Sequence, residues 1–334
     1  MEGKTFVAVI GLGLMARYHL EEMLKDAHTK IEVVCEPSPE AYQTAKGVFL
    51  QAGVDTPPNQ PDFEKLLAEY GDRLDAVFII TPHNKHHDQA AACLEAGLDV
   101  LLEKPMVMNS EEAKSLIETR DRTGRILVVA FQGSLSSRIQ MAKSLYSSGK
   151  LGELHSINAI VWQNWGKYAQ DTWRQEPDIA GGGFLFDTGA HMLNTVRELA
   201  GEEIVEVAAW LENKGRSVET ISAVIGRLAS GALITLHASG ETIPSCASDI
   251  YAFYSSAILR TGIWGERLEI QYAGQDSFQR IEVPSNPGVW EQFIAVRNGN
   301  LKNLSPPEIG LRMARLYEAI RLSSANNGQP VAIN

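Results

Sequence analysis

Over the first 130 residues, short apolar runs alternate with helical patterns, and this constrains the fold more than any other feature. The runs fall at 5–10, 31–35, 75–80, 99–102 and 126–130. Helical patterns lie between them at 14–25, 39–51, 63–70, 85–96 and 110–123. Several stop at a glycine, as at Gly53, Gly71, Gly97 and Gly124. Strands alternating with helices predict βαβ units and a parallel sheet. Runs this apolar on both faces predict a sheet covered on both sides, a doubly wound α/β domain.

The pattern changes after residue 130. A helix is expected at 137–147, then a strand at 154–162. The cluster Gly181-Gly182-Gly183 leads into a second helix at 184–199, closed by Gly201. From 203 to 283 the chain reads as successive strands joined by hairpins, with Ala229-Ser230-Gly231 the clearest turn. Such a run predicts a mostly antiparallel sheet. Ser305-Pro306-Pro307-Glu308 reads as a capping box opening a last helix that ends near 325. The expected division is 1–130 and 131–334, with the last helix, 306–325, able to pack back on the first domain.

Gly11-Leu12-Gly13-Leu14-Met15-Ala16 follows the first strand and opens the first helix. Gly11 allows a tight turn, Gly13 lets backbone approach a pyrophosphate, and Ala16 permits close helix–strand packing. The helix amino terminus then offers its dipole and N–H groups to phosphate. Glu36 ends the second strand twenty residues after Ala16. A carboxylate there accepts from ribose hydroxyls and repels a 2′-phosphate, so NAD is favoured over NADP. The first domain is therefore expected to be an NAD(P)-binding Rossmann domain.

Two further features bear on chemistry. Lys104, in Glu103-Lys104-Pro105, directly follows the apolar run ending at Leu102. Ligands of open α/β sheets bind outside the carboxyl ends of the strands, so an ammonium there can act on a bound substrate. Asp187 and His191 are four residues apart, on one face of the expected helix, among mostly apolar neighbours. An imidazole beside a carboxylate suits a general base, although a simple hydrogen-bonded pair has the same spacing. A dinucleotide loop, a strand-terminal lysine and an Asp-x-x-x-His pair together suit alcohol oxidation. The base takes the hydroxyl proton and the ammonium stabilises the developing alkoxide.

With these motifs in view, the chain resembles the Gfo/Idh/MocA family of glucose–fructose oxidoreductases, inositol dehydrogenases and rhizopine-catabolism proteins. The carriers are Gly11–Ala16, Thr81-Pro82 with His86, Glu103-Lys104-Pro105, and Gly181-Gly182-Gly183 leading to Asp187 and His191. The resemblance implies a Rossmann domain and a C-terminal α/β domain with a large open sheet that often forms the oligomer interface, in a homodimer or homotetramer. It implies that Lys104, Asp187 and His191 oxidise a hydroxyl of a small polyhydroxylated substrate, a sugar or cyclitol, or run the reverse reduction. Lys104 would bind the reacting hydroxyl and the cofactor, Asp187 would orient substrate, and His191 would be the acid/base. Thr81, Pro82 and His86 would lie along the cofactor, with Glu103 near the nicotinamide ribose. The chain departs from the family at His83, Asn194 and Phe131-Gln132-Gly133-Ser134, which touches substrate identity more than reaction type. Some relatives are glycosidases that retain NAD and work by transient oxidation and elimination. A nucleotide-sensing regulator without catalysis is a third reading, opposed by the intact Lys, Asp and His.

Composition narrows the partners. A net charge of −11, with scattered basic residues, opposes a nucleic-acid or anionic-membrane partner. Cys35, Cys93 and Cys246 are too far apart for a Cys-x-x-Cys site and fit a reducing compartment. The apolar run 6–16 after Lys4 imitates a signal peptide, but Gly11 and Gly13 fit a strand and turn, so a cytoplasmic protein is expected. His83, His86 and His87 cluster without accompanying carboxylates or cysteines at ligand spacing, so no metal is expected. Trp162, Trp165, Tyr168 and Trp173 precede Arg174. Aromatic faces suit sugar rings and Arg suits hydroxyls or a carboxylate, which makes Trp173 and Arg174 candidate substrate contacts. Aromatic packing at an interface accounts for the cluster equally well.

Overall fold

The computed structural model describes residues 4–284 and 287–333. They form two compact units, 4–107 with 111–130 and 287–310, and 108–110 with 131–284 and 311–333.

The first unit holds a five-stranded parallel sheet of β1 (Thr5–Ile10), β2 (Thr29–Cys35), β3 (Ala76–Ile79), β4 (Asp99–Leu102) and β5 (Leu127–Val129). Their order is β2-β1-β3-β4-β5, and every pair is parallel. Every residue of β3, β4 and β5 is buried, as expected of a sheet covered on both faces. A parallel bridge from Val34 to Asn59 places a further extended segment beside β2. Chain direction switches at β1, between β2 and β3, and that switch point opens a crevice at the carboxyl ends of the strands.

A division at residue 130 alone misses two segments, because 108–110 belongs to the second unit and 287–310 to the first. Trp290 is buried there, stacks 6.3 Å from Phe78 and donates to Thr29 Oγ1 at 2.8 Å. Arg297 pairs with Asp99 at 2.8 Å and Asp75 at 3.2 Å, beside the starts of β4 and β3. The Ser305 carbonyl accepts from Val129 N–H at 2.9 Å. That edge contact also corrects the capping box. The last helix begins at Glu308, and the Ser305 hydroxyl is buried without a hydrogen-bond partner among the described residues. Helix Glu308–Ala325 is divided between the units, its residues to Gly310 belonging to the first and those from Leu311 to the second. Its Tyr317 ring lies 4.6 Å from Phe186, and Ser323 Oγ accepts from Ala209 N–H at 2.9 Å, both in the second unit.

The second unit is built on nine strands: β6 (Leu154–Gln163), β7 (Ile204–Glu212), β8 (Ile221–Leu228), β9 (Leu233–Ser239), β10 (Cys246–Tyr254), β11 (Ala257–Thr261), β12 (Leu268–Tyr272), β13 (Gln279–Arg280) and β14 (Val331–Ala332). The order is β13-β12-β11-β10-β6-β9-β8-β7-β14, antiparallel throughout except between β6 and β9. Burial alternates along β8 and β9, so one face is core and the other is open. Helix Gly189–Ala200 buries every residue but Arg197.

The expected helix at 184–199 starts later, at Gly189. Asp187 therefore precedes the helix that carries His191 and does not share a face of it. Residues 184–188 form wide turns, with Asp187 N–H on Gly183 O at 2.9 Å and Gly189 N–H on Phe184 O at 2.8 Å. The second of these bonds spans five residues and leaves the α-helical register. The cause is Gly183, which lies against the Glu219 backbone and draws Phe184 N–H onto Glu219 O at 2.9 Å.

Candidate functional site

Each unit holds some of the residues expected from the sequence. In the first, Gly11 has φ +89°, and a Cβ there would meet Ile80 O at 2.5 Å. Only glycine fits this turn between β1 and the helix. Gly13 opens helix Leu14–Met23 without a side-chain cap, and a Cβ at Gly13 would meet nothing within 4 Å. The first-turn N–H groups thus face space that a phosphate can fill. Leu12 and Ala16 are fully buried, whereas Leu14 and Met15 are exposed.

Glu36 is buried at the end of β2. Its Oε2 accepts from Leu12 N–H at 2.7 Å and its Oε1 from Ser38 N–H at 2.7 Å. Asn59 clamps the Glu36 backbone, accepting from its N–H and donating to its carbonyl, each at 2.9 Å. The carboxylate therefore braces the glycine loop, with lone pairs left over for hydroxyl donors. Nearby, a cleft of about 910 Å³ opens between helices Phe63–Tyr70 and His86–Glu95. Pro61, Phe63, Leu67 and Ala92 give it apolar walls, and Asp62, Glu64, Lys85, Asp88 and Gln89 contribute polar groups. Gln89 also accepts from Thr81 Oγ1 at 2.7 Å.

Lys104 follows the carboxyl end of β4, and its bond to Pro105 is cis. Two buried histidines hold this turn. His86 Nδ1 lies 2.8 Å from Pro105 O and its Nε2 lies 2.9 Å from Thr81 O. Burial lowers its pKa. His86, expected along the cofactor, is fully buried between the Thr81 and Pro105 carbonyls. His19, which the motif reading passed over, bonds Glu103 Oε1 at 2.6 Å. Its signal was available in the sequence, because His19 interrupts the apolar stripe of Ala16, Leu20 and Met23. The third histidine of the cluster, His87, lies 2.8 Å from Asp88 and 3.0 Å from Ser115 Oγ.

In the second unit, Asp187 Oδ2 accepts from Trp165 Nε1 at 3.0 Å and pairs with Arg174 Nε at 3.3 Å. Arg174 also lies over the Trp173 ring, 4.5 Å from its centroid. His191 is buried between two aromatic walls, Phe131 at 6.1 Å and Trp264 at 5.9 Å. Asn194 donates to Ser134 Oγ at 2.8 Å, so two of the departures from the family pattern are partners in one buried bond. Composition does not separate Trp165 from its aromatic neighbours. Trp165 is buried, and it holds Asp187. Trp165→Phe keeps most of the ring and removes the donor to a buried carboxylate, which costs about 1–3 kcal/mol, measured by urea unfolding against the parent. A loss below the error of that measurement would remove Trp165 from this role.

The family description "Oxidoreductase family, NAD-binding Rossmann fold" matches residues 6–131, and "GFO/IDH/MocA C-terminal domain" matches residues 139–258. A 1-carboxy-3-chloro-3,4-dihydroxycyclohexa-1,5-diene dehydrogenase of Comamonas testosteroni is 28% identical over 205 residues, 61% of this chain and 50% of that protein. A levoglucosan dehydrogenase of Pseudarthrobacter phenanthrenivorans is 30% identical over 128 residues, 38% of this chain and 33% of that protein. The match thus spans half or less of these curated relatives. Among solved structures, an oxidoreductase domain protein from Kribbella flavida superposes with a TM-score of 0.86 at 25% identity, covering 100% of both chains. The glycine loop braced by Glu36, the lysine turn after β4, the nine-stranded sheet and both domain matches lead to one assignment: the chain belongs to the GFO/IDH/MocA oxidoreductase family.

Proposed function

We propose that this chain is an NAD-dependent dehydrogenase acting on a hydroxyl of a sugar or cyclitol, or catalysing the reverse reduction. The observation that carries the reading is the lysine turn, which places Lys104 just past the carboxyl end of β4, in the sheet whose β1 leads into the glycine loop. Relatives named for levoglucosan and for a dihydroxylated cyclohexadiene support the substrate class.

NAD fits the residues present. Gly11 to Ala16 would hold the pyrophosphate, and Glu36 would accept from the adenosine ribose. The cleft walled by Pro61, Phe63 and Leu67 would take the adenine, with Thr81 and Pro82 beside it. When bound, the nicotinamide supplies a hydride acceptor or donor. Lys104 stabilises alkoxide charge on the substrate oxygen through its ammonium. His191 exchanges the hydroxyl proton, and its aromatic walls limit the approach of water. Asp187, held by Trp165 and Arg174, accepts from a second substrate hydroxyl and orients the ring. Trp173 and Arg174 add a flat face and a donor fork suited to a polyol. Trp210, Ile225 and Leu233 stand exposed on the open face of the nine-stranded sheet, and a second copy of the chain would cover them.

The test is an NAD-coupled screen of sugars, sugar acids and inositols, repeated with NADP. Reduction of NAD by at least one polyol, with kcat/KM for NAD about tenfold or more above NADP, is expected from the Glu36 carboxylate. Preference for NADP would contradict the role of Glu36, and no reduction across the screen would contradict the activity.

A further inference from the structure

Behind the lysine turn, a buried hydrogen bond joins it to the helix of the glycine loop. The His19 and Glu103 side chains, on helix Leu14–Met23 and directly after β4, are each more than nine-tenths buried and meet at 2.6 Å. The second Glu103 oxygen, Oε2, accepts from Lys104 N–H at 3.0 Å. Glu103 N–H is in turn held by Ile79 O at 2.9 Å, at the end of β3. The carboxylate therefore has one oxygen on the dinucleotide helix and the other on the backbone of the lysine.

The chemistry of the pair says which way the proton sits. His19 Nδ1 is buried without a hydrogen-bond partner among the described residues. A proton there would be a buried donor lacking an acceptor, so the ring carries its proton on Nε2 and donates to Glu103. Phe78 packs 4.9 Å from the ring. Burial pushes the Glu103 carboxyl up, but the hydrogen bond and charge of His19, with the charge of Lys104 and its backbone N–H, outweigh this and hold it below the ordinary carboxylate range. Glu103 is thus the acceptor of the pair. An apolar residue at 19 would complete the helix stripe at lower cost than an imidazole with one bare nitrogen. The polar pair is therefore better explained by geometry it imposes than by stability it adds.

We propose that His19 is a positioning residue, which acts through Glu103 to set the backbone of Lys104 and so links the dinucleotide-binding helix to the ammonium. The inference rests on the reading of Lys104 given above.

Competitive acetylation of the full chain with acetic anhydride in the presence of NADH, read by mass spectrometry, tests it without needing the substrate. Lys65 and Lys302 serve as internal references. In His19→Met, Glu103 loses its donor and the turn loosens, so Lys104 labelling rises about fivefold or more. His19→Gln, which keeps a donor near the Nε2 position, stays within about twofold of the parent. Glu103→Gln and the His19→Met/Glu103→Gln double variant label Lys104 alike, because His19 has no other route to it. If His19→Met loses its fold by circular dichroism, His19→Asn replaces it, since its amide stops short of Glu103. Parent-like labelling of Lys104 in the loss variant, or effects that multiply in the double variant, overturns the proposal. Turnover of Lys104→Ala reports separately on the underlying reading. Retained turnover there overturns the role of Lys104, whatever the labelling shows. Lost turnover with parent-like labelling in His19→Met overturns only the role of His19.

Discussion

Lys104→Ala lowers turnover by roughly 10²–10⁴-fold, through loss of alkoxide stabilisation and of help with proton transfer. The size follows from how firmly the backbone carrying the ammonium is held. The lysine backbone is tied on one side by Glu103 Oε2 and on the other by the His86 bond to Pro105 O. A charge fixed before the reaction needs no reorganisation when negative charge develops, and this is why such a group matters more than a mobile lysine on a surface. Lys104→Arg keeps the charge but exchanges a compact ammonium for a planar fork, and it restores no more than about a tenth of the parent kcat. The measurement is kcat on the best substrate of the polyol screen, with circular dichroism to confirm the fold. A Lys104→Ala enzyme within about threefold of the parent would remove Lys104 from the chemistry.

Gly183→Ala is expected to lose about 3 kcal/mol or more of stability, well beyond an ordinary surface substitution. A Cβ at this position would stand 1.8 Å from Glu219 O and within 3 Å of two further Glu219 backbone atoms. Backbone cannot step aside as a flexible side chain can. Gly183 N–H also donates to Glu219 Oε2 at 2.8 Å, and Glu219 is half-buried, with its carboxyl pKa raised by desolvation. Displacing the glycine breaks this contact and the adjoining bond from Phe184 N–H to Glu219 O. Thermal unfolding should show a fall of about 4 °C or more for a chain of this size. Asp187 and His191 follow directly in the chain, so soluble variant protein should lose activity as well. Parent-like thermal stability would mean that the loop relaxes freely and does not position Asp187.

The core of the first unit was legible because its signals are local. Helices Pro39–Gln51, Phe63–Tyr70 and Ser110–Thr123 and strands β1 and β4 have the bounds that periodicity and turn residues predict. Gly11 and Glu36 stand where the spacing put them, at the turn after β1 and the end of β2. What the sequence concealed depends on partners far along the chain. Nothing near Trp290 or Arg297 announces that they will meet Thr29 and Asp99. The late start of the His191 helix comes from Glu219, which lies beyond it in the chain, so helical spacing alone put Asp187 and His191 on one face. Trp165 could not be separated from its aromatic neighbours by composition, because only its bond to Asp187 distinguishes it. His19 was the exception, visible as a polar residue in a buried stripe but read past in favour of the glycines beside it.

The central claim is net hydride transfer between a carbinol carbon and the nicotinamide. The most direct measurement supplies a substrate from the polyol screen with deuterium on its reacting carbon and follows the label by mass spectrometry. The account predicts that deuterated NADH accumulates, one deuterium per molecule of substrate oxidised, and that with Lys104→Ala the label appears roughly 10²–10⁴-fold more slowly. Glycoside cleavage with the deuterium returned to the product and no accumulation of reduced cofactor would contradict it.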